Sequence, residues 1–94
     1  MTETPAIKLT DVQWTVLRNA KAGHVYRSER GGDLYECYDG AQRTTYGLPR
    51  KVTKIVDRLY AHGLLRIGET NVMQRPWLVT DKGERVIAQK DGNP

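Results

Sequence analysis

The chain has 94 residues, 38% of them hydrophobic, and a net charge of +4, which supports one small domain with its own core and argues against a second domain. The single cysteine, Cys37, excludes an internal disulfide and a cysteine-based metal cluster. No apolar run reaches the roughly 18 to 20 residues that cross a bilayer, and the first residues lack the order of a secretory signal, so we expect a cytoplasmic protein.

The N-terminal part of the chain predicts a short arm followed by an amphipathic helix. Residues 1–8 contain Pro5 and show no apolar periodicity, which is typical of a flexible arm. In "LTDVQWTVLRNAKAG", Thr10 and Gln13 have the spacing of a capping box, and Gly23 is a helix stop signal. We therefore predict a first helix after Thr10, within a domain that spans residues 9–90.

The next segment, "GHVYRSERGGDLYECYDG", loses the helical period. Its aromatic and β-branched residues lie on both sides of a Gly-Gly pair, which predicts two strands joined by a turn. Its tyrosines are Tyr26, Tyr35 and Tyr38. Strand alternation allows one side of this 24–40 hairpin to present tyrosines to a protein partner, although half-buried packing within the domain is the favoured explanation.

The segment that follows contains an unusual basic helix. "AQRTTYG" predicts at most one helical turn, and "LPRKVTKIVDRLYAHGLLRI" predicts a helix that starts at Pro49 and stops at Gly63. Apolar residues recur at three- and four-residue spacing and predict a core face, formed by Val52, Ile55, Val56 and Leu59. Arg50, Lys51 and Lys54 then crowd the first turns, where the backbone N–H groups already present positive charge. This arrangement is unfavourable unless an anion binds nearby, so it indicates an anionic partner.

The C-terminal part predicts a second hairpin and a last helix. "LLRIGETNVMQRPWLVT" is typical of two strands around a polar loop, "ETNVMQRP", which contains Arg75. Thr80 can cap a helix that runs through about Gln89, with Gly83 weakening its first turn. Residues 91–94 form a tail.

The positive charge is concentrated in the basic segment. Residues 42–62 carry five Lys and Arg against one Asp, whereas the stretches before and after them are close to neutral. Because solubility does not require such concentration, it points to an anionic partner such as nucleic acid or a membrane surface.

The order helix, hairpin, basic helix, hairpin, short helix resembles the winged-helix DNA-binding domains of bacterial or phage transcription regulators, in a minimal MarR-like form. The resemblance is carried by "VTKIVDRLYAHGLL" before the second hairpin and "LVTDKGERVI" after its first strand, and it covers about Leu9 to Gln89. It implies an α+β fold with a recognition helix and a wing. In this chain, residues 24–40 are predicted to form strands at the place where the family has a second helix. The sequence does not predict the long helices by which MarR-type proteins dimerise, and a homodimer is one of two oligomeric states, with the monomer, that it allows.

The resemblance implies sequence-specific binding of double-stranded DNA and a role in transcription regulation. Arg50 or Lys54 would reach guanine in the major groove, and Arg75 would contact a minor groove or phosphate. The hydroxyl groups of Tyr46 and of Thr44 or Thr45, just before the helix, would donate to phosphate. The full set of expected DNA-binding residues is Arg43, Thr45, Tyr46, Arg50, Lys51, Thr53, Lys54, Arg58 and Arg75. The competing interpretation is a solvated face whose cations pair with Glu36 and Asp39.

Two other functions stay open. The chain could be a winged-helix protein-interaction module that binds another regulator or RNA polymerase through the 24–40 hairpin, or it could bind RNA. Enzyme activity is not expected, because His24, Cys37 and His62 match no spacing of metal ligands or of a nucleophile and its base. We accordingly expect no cofactor, no metal and no catalytic residue.

Overall fold

The computed structural model describes residues 8–30, 33–69 and 73–91. Within these ranges the chain forms three helices and a five-stranded antiparallel sheet, which confirms the α+β class. Most of the predicted arm (1–8) and tail (91–94) and the centres of the two predicted loops lie outside the described residues, at 1–7, 31–32, 70–72 and 92–94. Asp91, predicted to begin the tail, is the last residue of the third helix. None of the described helices combines the length and the hydrophobicity needed to cross a membrane. The elements are α1 (Asp11–Lys21), β1 (Val25–Arg30), β2 (Asp33–Arg43), β3 (Pro49–Lys51), α2 (Thr53–Ala61), β4 (Leu65–Ile67), β5 (Gln74–Val79) and α3 (Asp81–Asp91).

Helix α1 begins with the predicted capping box. The Gln13 backbone N–H donates to Thr10 Oγ1 at 3.2 Å, and the Thr10 N–H donates to Gln13 Oε1 at 2.9 Å. These two bonds satisfy N–H groups that a helix start otherwise leaves without partners. The inward side of α1, formed by Val16, Leu17 and Ala20, is buried in the core.

The sheet has the strand order β3-β2-β1-β5-β4. The first hairpin, β1–β2, is therefore joined to the second, β4–β5, through antiparallel pairing of β1 with β5. Buried strand residues contribute to one core with the helices, and they include Val25, Cys37, Leu65 and Trp77. Tyr26 and Tyr38 face each other across β1 and β2 with ring centroids 5.9 Å apart, and both are half-buried, as the favoured explanation of these tyrosines requires.

The structure contradicts the helical turn predicted at residues 41–47. Strand β2 continues through Arg43, and a tight turn then leads back into β3. Across that turn, the Thr44 N–H donates to the Leu48 carbonyl at 2.8 Å and the Gly47 N–H donates to the Thr44 carbonyl at 2.9 Å. These residues therefore form the turn of a further, short hairpin, β2–β3, in place of a helix.

The structure also contradicts the predicted start of the basic helix. Pro49–Lys51 form an edge strand, and α2 begins at Thr53. The chain stays extended because β3 pairs with β2 and because the Val52 N–H donates to the Cys37 carbonyl at 2.8 Å. A proline at the first position of an edge strand costs the sheet no hydrogen bond, so Pro49 suits this place as well as it would suit a helix.

The rest of α2 matches its predicted pattern. Val56 and Leu59 are fully buried and Ile55 packs partly against the core. The helix ends at the expected place, where Gly63 adopts a φ of +76° and the Leu64 N–H donates to the Leu59 carbonyl at 3.0 Å. A left-handed backbone of this kind strains other residues, so the glycine sends the chain directly from α2 into β4.

Helix α3 is capped as predicted, with the Gly83 N–H donating to Thr80 Oγ1 at 3.1 Å. Gly83 does more than weaken the first turn, because a Cβ atom there would lie 2.5 Å from the Leu64 carbonyl oxygen and 2.6 Å from Val79 Cγ1. The glycine therefore allows α3 to pack closely on the second hairpin.

Candidate functional site

The exposed cations of the basic segment lie on two adjoining elements, the β2–β3 hairpin and α2. Arg43 and Arg50 belong to the hairpin, Lys51 ends β3, and Lys54 and Arg58 are on α2. All five are exposed. We call this set the basic surface. Because Arg50 and Lys51 are on a strand, the crowding of cations in the first helical turn that the sequence suggested does not occur, and Lys54 is the one predicted cation that remains there.

The turn of the β2–β3 hairpin is held by its own hydrogen bonds. Thr44 Oγ1 accepts from the Tyr46 N–H at 3.3 Å and from the Leu48 N–H at 3.2 Å. Arg43 Nη1 donates to the Gly47 carbonyl at 3.1 Å. The threonine that organises this turn is thus Thr44, whereas the predicted phosphate ligand Thr45 is exposed in it. These bonds fix the backbone that presents the neighbouring side chains to solvent.

Two large side chains project from this turn. Tyr46 is 89% exposed and Leu48 is 62% exposed. Exposed tyrosine was expected at this place, but Leu48 was not among the predicted site residues. The signal in the sequence was an apolar residue directly before Pro49, between a turn and a basic strand, and an apolar residue there is as easily assigned to the core.

Lys51 and Lys54 line a shallow groove of about 480 Å³ beside the first turn of α2. Glu36 and Asp57 line it as well, so the groove carries both signs of charge. Thr53 is also in the wall, but its hydroxyl donates to the Glu36 carboxylate and accepts from the Cys37 N–H at 3.0 Å. Thr53 was expected to point outward as a DNA ligand, and it is half-buried and committed to bonds that join α2 to β2.

The competing interpretation is that the cations pair with Glu36 and Asp39. For Glu36, the described residues show only one weak ion pair of this kind. Lys51 Nζ lies 4.0 Å from Glu36 Oε2, and the two side chains are 64% and 46% exposed, so this pair contributes little.

Asp39 is fully buried and binds no cation of the basic surface. Its carboxylate accepts from Asn19 Nδ2 at 2.8 Å, from the Ala41 N–H at 2.9 Å and from Gln42 Nε2 at 2.9 Å. Arg50 instead donates to Gln42 Oε1 at 3.0 Å, so Gln42 connects Arg50 to Asp39. Sequence reasoning missed this role of Gln42.

Arg75 is separate from the basic surface. It lies in β5, not in a loop, and its side chain is about two-thirds covered, with 31% relative exposure. Its Nε atom donates to the Gly68 carbonyl at 3.0 Å and lies 3.9 Å from Glu29 Oε2. These contacts join β5 to β1 and to Gly68, the residue that follows β4, so the expected placement of Arg75 in the loop "ETNVMQRP" is wrong.

Most of the basic surface lies in a segment without acidic residues, although Glu36 and Asp57 line the groove beside it. Residues 40–56 contain Arg43, Arg50, Lys51 and Lys54 and no Asp or Glu. In the described part of the chain, no carboxylate lies within 4.0 Å of the basic groups of Arg43, Arg50, Lys54 or Arg58. The charge of these four side chains therefore stays available to a partner.

Cys37 lies in the core and not in a reactive environment. Trp77 Nε1 donates to its Sγ atom at 3.2 Å, and burial raises the pKa of the Cys37 thiol. A raised pKa keeps the thiol protonated at neutral pH, and the thiolate is the form that attacks or binds metal. Within residues 8–30, 33–69 and 73–91, no group of three His, Cys, Asp or Glu residues is arranged to hold a metal ion.

Comparison of this chain with protein families, with curated proteins and with solved structures gives no match.

Proposed function

We propose that this protein binds double-stranded DNA through the basic surface. The observation that carries the proposal is the stretch of residues 40–56, which has four exposed cations and no Asp or Glu. Three of these cations, Arg43, Arg50 and Lys54, have no carboxylate partner among the described residues, and Lys51 has only the weak contact with Glu36. DNA presents a dense row of phosphates, and cations that neutralise them release condensed counterions. The free charge of this surface suits that partner.

Helix α2 is the proposed recognition helix of a winged-helix domain. Its buried side holds Val56 and Leu59, whereas Lys54, Arg58 and Ala61 are exposed at spacings that form one stripe. The helix is followed directly by the β4–β5 hairpin, as the winged-helix interpretation requires. Three strands stand between α1 and α2 where that family has a helix, so the interpretation rests on the C-terminal half of the domain.

We assign a role to each cation from the helix or strand on which it lies. Lys54 and Arg58 are the two cations on α2, and side chains on a helix in the major groove can reach base edges. Arg43, Arg50 and Lys51 lie on strands beside that helix and would hold phosphates. A protein that binds phosphates and also recognises base edges is suited to regulating transcription, which is the role we propose.

Single alanine variants measured on a duplex of random sequence test where the DNA binds. On a duplex without a preferred site, Lys54 would contact phosphate as Arg50 does. Arg50→Ala and Lys54→Ala should therefore each weaken binding roughly 5- to 10-fold at 0.1 M salt, because losing one phosphate contact removes about 0.9 from the slope of log K against log[salt]. Arg85→Ala is the matched control, since Arg85 is an exposed arginine on α3. Fluorescence anisotropy gives the affinities. An equal loss for all three variants, or no loss for Arg50→Ala and Lys54→Ala, would contradict the proposed site.

A second candidate function is supported by the side of the sheet that carries Tyr26 and Tyr38. These half-buried rings pair across β1 and β2, opposite to the residues of the same strands that enter the core. A protein-interaction module that binds another regulator or RNA polymerase could use them. This candidate gains weight only if the chain binds no duplex DNA.

A further inference from the structure

The tip of the β2–β3 hairpin carries a pair of exposed apolar side chains that the proposed function does not use. Tyr46 and Leu48 are the two most exposed large hydrophobic side chains among the described residues, at 89% and 62%. Arg43 and Arg50 flank them, and both are exposed. Exposed apolar side chains in water are unfavourable, so a pair of them on one rigid turn marks a contact surface.

The chemistry of this tip fits nucleic acid better than a protein surface of ordinary composition. The arginines would attract phosphates, and Tyr46 and Leu48 would then come close to the sugar edges and bases between them. Proteins that enter the minor groove use this combination, with Arg or Lys at the groove and apolar side chains pressed against a base step. The internal hydrogen bonds of the turn mean that little backbone entropy is lost when it enters.

The length of chain between this tip and α2 is compatible with the spacing of DNA grooves. From Leu48 the chain runs through β3 to Thr53, a distance of at most about 16 Å at about 3.3 Å per residue. The major and minor grooves on one side of B-DNA are separated by half a helical turn, or about 17 Å. With α2 in a major groove, a tip at the other end of β3 is within reach of the neighbouring minor groove.

We propose that the β2–β3 hairpin is a minor-groove arm that places Tyr46 and Leu48 in the minor groove next to the major groove occupied by α2. This inference rests on the proposed DNA binding and adds a second point of contact to it. It assigns the minor-groove contact to the β2–β3 hairpin, which directly precedes α2, and not to Arg75, which is held within the sheet.

Two duplexes that differ only in their minor groove test this inference. Replacing guanine by inosine removes the N2 amino group, which projects into the minor groove, and leaves the major-groove pattern unchanged. The parent protein should bind an inosine·cytosine duplex about fivefold or more tightly than the matching guanine·cytosine duplex, because the amino group obstructs the arm. The double variant Tyr46→Ala/Leu48→Ala should bind the two duplexes equally well. Val12→Ala, at a 39% exposed apolar position on α1, should keep the parent's preference.

The outcomes separate this inference from the proposed function. If the parent binds neither duplex, the proposed function fails. If the parent binds both equally, or if the double variant keeps the preference, DNA binding stands and the minor-groove arm is overturned. A double variant that loses affinity for both duplexes by the same factor also overturns it, because the tip would then contact only the backbone. Thermal melting of the double variant should match the parent, since both side chains are exposed.

Discussion

Replacing Leu59 by Ala is expected to lower the free energy of unfolding by about 2–5 kcal/mol. Leu59 is fully buried on the inward side of α2, in the core cluster shared by the three helices and the sheet. The truncation loses apolar contact and leaves a cavity that close-packed neighbours fill only in part. A small domain is stable by only about 5–15 kcal/mol, so this one change removes a large share of the total. Urea denaturation followed by circular dichroism measures the loss.

Arg58→Ala is the control for this prediction, because Arg58 precedes Leu59 on the same helix and is exposed. Its free energy of unfolding should stay within about 0.5 kcal/mol of the parent. If Leu59→Ala unfolds at the same urea concentration as the parent, the inward and outward sides of α2 have been assigned wrongly. The assignment of Lys54 and Arg58 as outward residues would then fail as well.

Asp39→Ala is expected to lower the free energy of unfolding by about 3 kcal/mol. The buried carboxylate accepts hydrogen bonds from Asn19, Ala41 and Gln42, and its removal leaves three donors without their partner, at about 1 kcal/mol or more each. Asp39→Asn should cost less, because its carbonyl oxygen can still accept. The same denaturation experiment measures both variants. A loss below about 1 kcal/mol for Asp39→Ala would show that these donors find water or other partners.

The sequence predicted the helices well where a periodic apolar pattern and a cap coincide. The capping box of Thr10 and Gln13, the cap at Thr80 and the stop at Gly63 all occur as expected. These signals are local, since each depends on residues within one turn of the helix. Local signals can be read without knowing what the rest of the chain does.

The start of the basic helix could not be predicted in the same way. Proline followed by an apolar period is compatible with a helix from Pro49, and it is equally compatible with an edge strand that leads into a helix. What decides between them is pairing with β2, whose partner residues lie 6 to 13 positions earlier in the chain. One observation did favour the strand. Arg50 and Lys51 are poorly placed for a helix start, and the structure removes that conflict by putting them on β3.

The candidate site was predicted in its charge and only partly in its geometry. Clustering in the sequence identifies Arg43, Arg50, Lys51, Lys54 and Arg58, and all five are exposed. The burial of Asp39 could not be read from a polar pattern, because a buried carboxylate and an exposed one have the same sequence signature. The contact of Arg75 with Gly68 likewise depends on the pairing of β4 with β5, which no local pattern specifies.

The central claim, that the basic surface binds duplex DNA, is tested most directly by the salt dependence of binding. The parent protein is titrated into a labelled duplex of random sequence at several salt concentrations, and log K is plotted against log[salt]. On a duplex of random sequence Lys54 and Arg58 would contact phosphate as the strand cations do, and Arg50 and Lys51 are consecutive on β3, so their side chains point to opposite sides of the sheet. We therefore expect about four phosphate contacts from the five exposed cations, and a slope of about −3.6, at roughly −0.9 per neutralised phosphate. An absence of binding at low salt, or a slope close to zero, would contradict the account.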